Sequence, residues 1–191
     1  MISGGTESRD EPMAEIERLR ETIARLEERV RHLDELAHQD PLVPVPNRRG
    51  FMRELEALIA RVSRYGESAA MLFVDIDGLK RINDSFGHKA GDEALIQVAG
   101  ALTGGVRKSD CVARLGGDEF GILLVHASEE SAVETARRLT ATIEKCEVKC
   151  DGDALPLSVA IGVTMIAPSD TPDQAISRAD RAMYDRKAAA A

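Results

Sequence analysis

Near the middle of the chain, two apolar, β-prone runs, Cys111-Val112-Ala113 and Gly121-Ile122-Leu123-Leu124-Val125, flank the stretch Arg114-Leu115-Gly116-Gly117-Asp118-Glu119-Phe120. Such runs joined by paired glycines read as a β-hairpin, and every other element must be arranged around it. The glycines admit positive φ and leave no side chain over the turn, so a phosphate could approach the backbone closely. Asp118 and Glu119 add carboxylates at the same turn. Two readings fit these residues equally: a site for a metal-bound polyphosphate, or an ordinary acidic hairpin turn.

A second pattern lies upstream. Ile16, Leu19, Ile23, Leu26, Val30, Leu33 and Ala37 recur at alternating spacings of three and four. This is a heptad with Ile16, Ile23, Val30 and Ala37 at a, and Leu19, Leu26 and Leu33 at d. β-branched residues at a with leucine at d favour a parallel two-stranded coil. In register, Glu15 faces Arg20 of a second copy, and Arg29 faces Asp34. The spacing predicts a dimerisation helix over residues 12–38, preceded by a polar, disordered N-terminus over 1–11. Residues 39–46 contain Pro41, Pro44 and Pro46 and read as a short, stiff, extended joint. Residues 47–191 form the main domain.

Within that domain, Phe51, Leu55, Leu58, Ile59 and Val62 mark a helix, and Ala69–Ile76 reads as a buried strand with Asp75 and Asp77 at its exit. Lys80–Asp92 reads as a turn or short helix followed by a loop. Ala94, Leu95, Val98 and Leu102 mark a further helix, as do Val133, Ala136, Leu139 and Ile143. Leu157, Val159, Ile161, Val163 and Met165 alternate with Ser158, Ala160, Gly162 and Thr164, a strand whose small face a helix can cover closely. Thr171-Pro172-Asp173-Gln174 opens the last helix with a capping box. The order implies an α+β domain: a mixed sheet with helices on one face.

Net charge is −8, which disfavours nucleic acid as a partner. No run approaches the ~20 apolar residues of a membrane span, and the N-terminus has no signal-peptide pattern. Three cysteines, Cys111, Cys146 and Cys150, form no zinc pattern, and their odd number suits reduced thiols in a cytoplasm.

If the strand ending at Asp75 neighbours the hairpin, Asp75 and Asp118 converge. Such a carboxylate pair suits Mg²⁺ shared with substrate phosphates, the requirement of phosphoryl or nucleotidyl transfer. No Gly-x-x-x-x-Gly-Lys-Ser/Thr loop is present, so the chain is not a P-loop enzyme.

Several ordered blocks together resemble the GGDEF family of diguanylate cyclases: Asp75-Ile76-Asp77-Gly78-Leu79-Lys80-Arg81-Ile82-Asn83-Asp84, Gly87-His88, Gly91-Asp92 and Arg114–Phe120. Asp40-Pro41-Leu42 and Pro46-Asn47-Arg48-Arg49 match the family's opening segment, and Ala179-Asp180, Tyr184 and Lys187 its closing helix. The resemblance implies a palm-like fold similar to nucleotidyl cyclases and polymerases. It also implies condensation of two GTP into cyclic di-GMP with release of two pyrophosphates. Asp75, Asp118 and the carbonyl of Ile76 would hold Mg²⁺, with Mn²⁺ the alternative ion, and Glu119 would assist. Gly78, Leu79, Lys80, Gly116 and Gly117 would line the phosphates, and Lys187 would contact the terminal one. Asn83 and Asp92 would read guanine, whose N1–H and N2–H₂ a carboxylate can accept. Without a ligand, Asn83 and Asp92 read as helix-terminal residues.

One domain would hold one GTP, so two copies must face each other, and the coil would raise the effective concentration of the second half-site. Arg107-Lys108-Ser109-Asp110 resembles the family's RxxD product-inhibition site, with Arg138 and Arg61 as secondary arginines. The sequence departs from the family at Val43, Pro44 and Val45, which replace Thr-Gly-Leu, and at Leu79, which replaces phenylalanine. Ala191 stands where an arginine is expected. The competing expectation is a cyclic di-GMP- or GTP-binding regulatory module without turnover.

Overall fold

The computed structural model describes residues 7–150 and 153–190. The chain divides into two compact units, the first ending at Ala37 and the second beginning at His38. The first is a single helix, α1 (Glu7–His38). It starts at Glu7 rather than near position 12, so the stretch expected to be disordered is helical from there; residues 1–6 lie outside the described residues. Within α1 the heptad side chains from Ile16 to Leu33 are exposed, among them Ile23 at 55%, Leu26 at 51% and Val30 at 66%.

The second unit contains α2 (Arg48–Tyr65), β1 (Ala69–Ile76), α3 (Leu79–Phe86), α4 (His88–Gly104), β2 (Cys111–Gly116), β3 (Glu119–Val125), α5 (Glu129–Ile143), β4 (Glu147–Cys150), β5 (Asp153–Pro156), β6 (Val159–Met165) and α6 (Pro172–Ala190). Its main sheet has the order β2-β3-β1-β6. All three pairings are antiparallel. The α+β class stands, but the sheet is antiparallel rather than mixed. The hairpin inserts β3 between β1 and β2, which run the same way and never pair.

Helices cover both faces of the sheet, not one. β1 is apolar at successive positions, so its alternating side chains bury two faces, and each needs a cover. Ala70, Leu72, Val74 and Ile76 pack with Ala94, Val98 and Leu102 of α4 and Ala136 and Leu139 of α5. Ala69, Met71 and Phe73 pack with Phe51, Leu55 and Leu58 of α2 and Ala175, Ala179 and Met183 of α6. The small face of β6 is covered as its alternation suggests. A Cβ on Gly162 would lie 2.1 Å from the Ala179 carbonyl and 2.3 Å from the Met183 nitrogen. The capping box of α6 also forms, with Thr171 N–H donating to Gln174 Oε1 at 2.9 Å and Gln174 N–H to Thr171 Oγ1 at 3.3 Å.

The proline-rich joint is folded back rather than extended. Gln39 and Pro46 form an antiparallel bridge, and Asp40 N–H donates to the Val45 carbonyl at 2.9 Å. Asp40 Oδ1 accepts from the Leu42 and Val43 amides at 2.9 and 3.1 Å, shaping the turn. Val43 and Val45, which depart from the family pattern, plug into the core at 1% and 3% exposure. Burying two valines holds the loop shut more effectively than the prolines can hold it straight. The hairpin β4–β5 is an element the sequence reading missed, although Glu147-Val148-Lys149-Cys150 alternates and Val148 is buried.

Candidate active site

The central hairpin forms with a two-residue turn at Gly117-Asp118, Gly116 pairing with Glu119 across a bulge. Gly116 has φ 152° and Gly117 φ 49°, and a Cβ on either would meet nothing within 4 Å. The turn is therefore open above its backbone, and side chains there would strain it without colliding. Arg114 braces it from below: Nε and a terminal nitrogen donate to the Gly117 carbonyl at 3.1 and 2.7 Å. The same guanidinium lies 3.4 Å from Asp40 Oδ1, tying the joint to the turn.

β1 delivers the second acid beside this turn. Asp75 stands directly opposite Glu119 in the β1–β3 register, and Ile76 N–H donates to the Asp118 carbonyl at 3.1 Å. Asp75, Asp118 and Glu119 thus meet at one corner of the sheet. Burial pushes the Asp75 carboxyl above its ordinary range; Lys187 opposes this, while Asp118 and Asp77 add to it. Burial also raises Glu119, with Asp75, Asp118 and Asp180 reinforcing the shift and Arg48 opposing it. Asp180 and Arg48 were read only as parts of matching segments, and the fold brings both to the flank of Glu119.

Lys187 reaches this corner from the last turns of α6. Its Nζ contacts Asp75 Oδ1 and lies 3.3 Å from Asp77 Oδ1. Its pKa is raised, because hydrogen bonding and attraction to these two carboxylates outweigh burial. Contact of one ammonium with two carboxylates favours the ionised form. Asp77 is further fixed by Ser158 Oγ, which donates to its Oδ2 at 3.0 Å.

α3 begins where the chain leaves β1, after Gly78 at φ 71°. Lys80 is exposed on its first turn, whereas the Leu79 side chain is buried, so Leu79 can offer a phosphate only its backbone. The expected loop after α3 is reduced to Gly87, and α4 starts at once. Gly91 is consequently helical. A Cβ there would lie 2.0 Å from Asn83 Oδ1, so Asn83 rests on α4 at Gly91, the residue before Asp92 in the chain. A cavity of about 1040 Å³ opens beside Asp77 and Gly78, lined by Arg81, Ile82, Phe86 and Leu157; Asn83 and Asp92 are not among its lining residues.

Arg107, Asp110 and Arg138 line one cavity of about 300 Å³, with Gly105, His126 and Thr135. Asp110 also shapes its own turn, its Oδ2 accepting from Arg107 N–H at 2.9 Å and its Oδ1 from Val125 N–H at 3.2 Å. Arg61 does not line this cavity; it sits on α2 and pairs with Glu67 at 3.6 Å. The sequence match could not register that α2 covers the opposite face of the sheet. His126, at φ 50°, is a lining residue the sequence reading missed.

Among the described residues, no set of three or more His, Cys, Asp or Glu side chains is arranged to hold a metal, and none of their helices is long and apolar enough to cross a membrane. Asp75 and Asp118 nevertheless supply hard oxygen donors at one corner, and a cation, the Lys187 ammonium, already rests against Asp75. Two carboxylates suffice for a magnesium ion that takes its other ligands from water and phosphate.

An antiparallel α+β domain with acids gathered at the tip of a Gly-Gly hairpin defines a nucleotidyl-cyclase-like palm. The sequence pattern of the family described as "Diguanylate cyclase, GGDEF domain" matches residues 37–191, and the chain belongs to that family. It is 39% identical over 166 residues to the diguanylate cyclase TpbB of Pseudomonas aeruginosa, an alignment spanning 86% of this chain and 38% of TpbB. The chain thus spans well under half the length of that relative. The diguanylate cyclase SiaD of Pseudomonas aeruginosa, solved in complex with its activator SiaC, superposes with a TM-score of 0.77 at 30% identity, covering 95% of this chain and 75% of SiaD. The coiled coil and GGDEF domain of DgcB from Caulobacter crescentus, solved with c-di-GMP, gives a TM-score of 0.85 at 23% identity over 93% of this chain and 94% of that one, a likeness of fold.

Proposed function

We propose that the chain condenses two GTP into cyclic di-GMP and two pyrophosphates, as a homodimer with one GTP per subunit. The observation that carries this reading is the β1–β3 register, which sets Asp75 opposite Glu119 and beside Asp118. In this reading Asp75, Asp118 and the Ile76 carbonyl hold Mg²⁺ or Mn²⁺. When bound, the ion neutralises the triphosphate and favours ionisation of the attacking 3′-hydroxyl. Asn83 on α3 and Asp92 on α4 orient guanine through its N1–H and N2–H₂ edge. The open backbone of Gly116-Gly117 and the first turn of α3, from Gly78 to Lys80, border the phosphates. Glu119 keeps the corner acidic, and Lys187 compensates phosphate charge.

Each domain positions half of the reacting pair, so the exposed heptad face of α1 takes a second copy in parallel. The cavity holding Arg107, Asp110 and Arg138 binds product and inhibits: an arginine can bond guanine O6 and N7 together. Incubation with GTP and Mg²⁺ tests the reading. Cyclic di-GMP should accumulate with the parent protein and not with Asp118→Asn. Absence of product from the parent at micromolar protein refutes it.

A further inference from the structure

The cation lying against Asp75 belongs to the protein. Lys187 Nζ contacts Asp75 Oδ1 and stands 3.3 Å from Asp77 Oδ1. The helix that presents it is firmly seated: Gly162 admits α6 to the surface of β6, and Arg178 clips α6 to Asp170 through two hydrogen bonds of 2.7 Å. The ammonium itself sits on a flexible four-carbon stem, free to swing while its helix stays in place. Asp118 and Asp77 stand within electrostatic reach of the same carboxylate, so the ammonium faces a corner rich in acids.

We infer that Lys187 is a resident counter-cation that competes with the divalent ion for Asp75, yielding to it only when nucleotide phosphates arrive to receive the displaced ammonium. The inference rests on the reading of Asp75 as a metal ligand. An ammonium held against one carboxylate weakens that carboxylate's pull on a divalent ion, because the two cations repel each other at such range. Free metal therefore meets an Asp75 that is already paired. Metal-bound GTP meets one it can open, because its phosphates offer Lys187 three new anionic oxygens. The consequence is an order of entry: the ion comes in with the nucleotide, and the unliganded protein stays paired.

The test is direct counting of bound Mn²⁺ by electron paramagnetic resonance on the full chain, without nucleotide. Lys187→Met should bind free Mn²⁺ about tenfold more tightly than the parent. The same variant should bind the Mn²⁺ complex of a non-reacting α,β-methylene GTP analogue less tightly. A lysine with a merely structural role would, on removal, leave Mn²⁺ affinity unchanged or lower it, and either result overturns the inference. Asp75→Asn, run in parallel, should lose Mn²⁺ binding. Retained binding there overturns the metal reading itself. Lost binding in Asp75→Asn with unchanged affinity in Lys187→Met overturns the role of Lys187 alone.

Discussion

Gly162→Ala tests the close approach of the α6 backbone to β6. The new methyl would lie 2.1 Å from the Ala179 carbonyl oxygen, 2.3 Å from the Met183 nitrogen and 2.8 Å from the Met183 Cα. All three are main-chain atoms of α6, so no side-chain rotation relieves the clash, and the helix must retreat by about 1 Å to restore ordinary contact. That retreat loosens Ala175, Ala179 and Met183, which are 0%, 0% and 6% exposed. Overpacking of this kind costs about 3 kcal/mol, the upper end of its usual range, because backbone rather than side chain must yield. With a urea m-value of about 2 kcal/mol/M, the midpoint should fall by about 1.5 M. Gly100→Ala is the matched control: it is exposed within α4 and its Cβ would meet nothing within 4 Å. Removing a helical glycine there should stabilise by about 0.5–1 kcal/mol. A Gly162→Ala midpoint within about 0.3 M of the parent would show that α6 is not held against β6 as described.

Asp40→Ala removes the acceptor of two backbone amides and the partner of Arg114, whose side chain is 15% exposed. It should cost about 2–3 kcal/mol by urea unfolding, with Asp40→Asn retaining part of the turn; a loss below about 0.5 kcal/mol contradicts the brace. Gly91→Ala meets only the end of the Asn83 side chain. Titration with a GTP analogue should therefore show several-fold weaker binding with the unfolding midpoint nearly unchanged, and unaltered affinity would mean that Asn83 does not need its seat on α4. Asp170 is held below the usual carboxylate range, first by hydrogen bonds from Arg178 and also by the Ala167 amide. Its stabilisation is present above the unfolded value near 4 and is lost as pH falls through the lower folded value. Arg178 is 42% exposed, so solvent screens the pair and Asp170→Asn should cost only about 1 kcal/mol at pH 7. The gap to the parent should narrow as pH falls below about 4, and a constant gap would remove the charge from the explanation.

Features encoded by neighbours in sequence were legible without coordinates. The hairpin, the capping box at Thr171, the small face of β6 and the heptad stripe each depend on residues a few positions apart, and local sterics and periodicity report them. Membership of the acidic site was legible through ordered blocks of matching residues. What only tertiary structure decided depends on segments distant in the chain. β3 inserts beside β1, so Asp75 meets Asp118 across the sheet and the sheet becomes antiparallel. Gly91 lies inside α4 and leaves the space that Asn83 occupies, and Val43 and Val45 close the joint because a core lies beneath them. Arg61 and Arg138 look alike in sequence, yet they serve opposite faces of the sheet. Short-range preferences choose the elements; burial of two apolar faces chooses their neighbours, and the chemistry of Asp75 and Lys187 arises only from that choice.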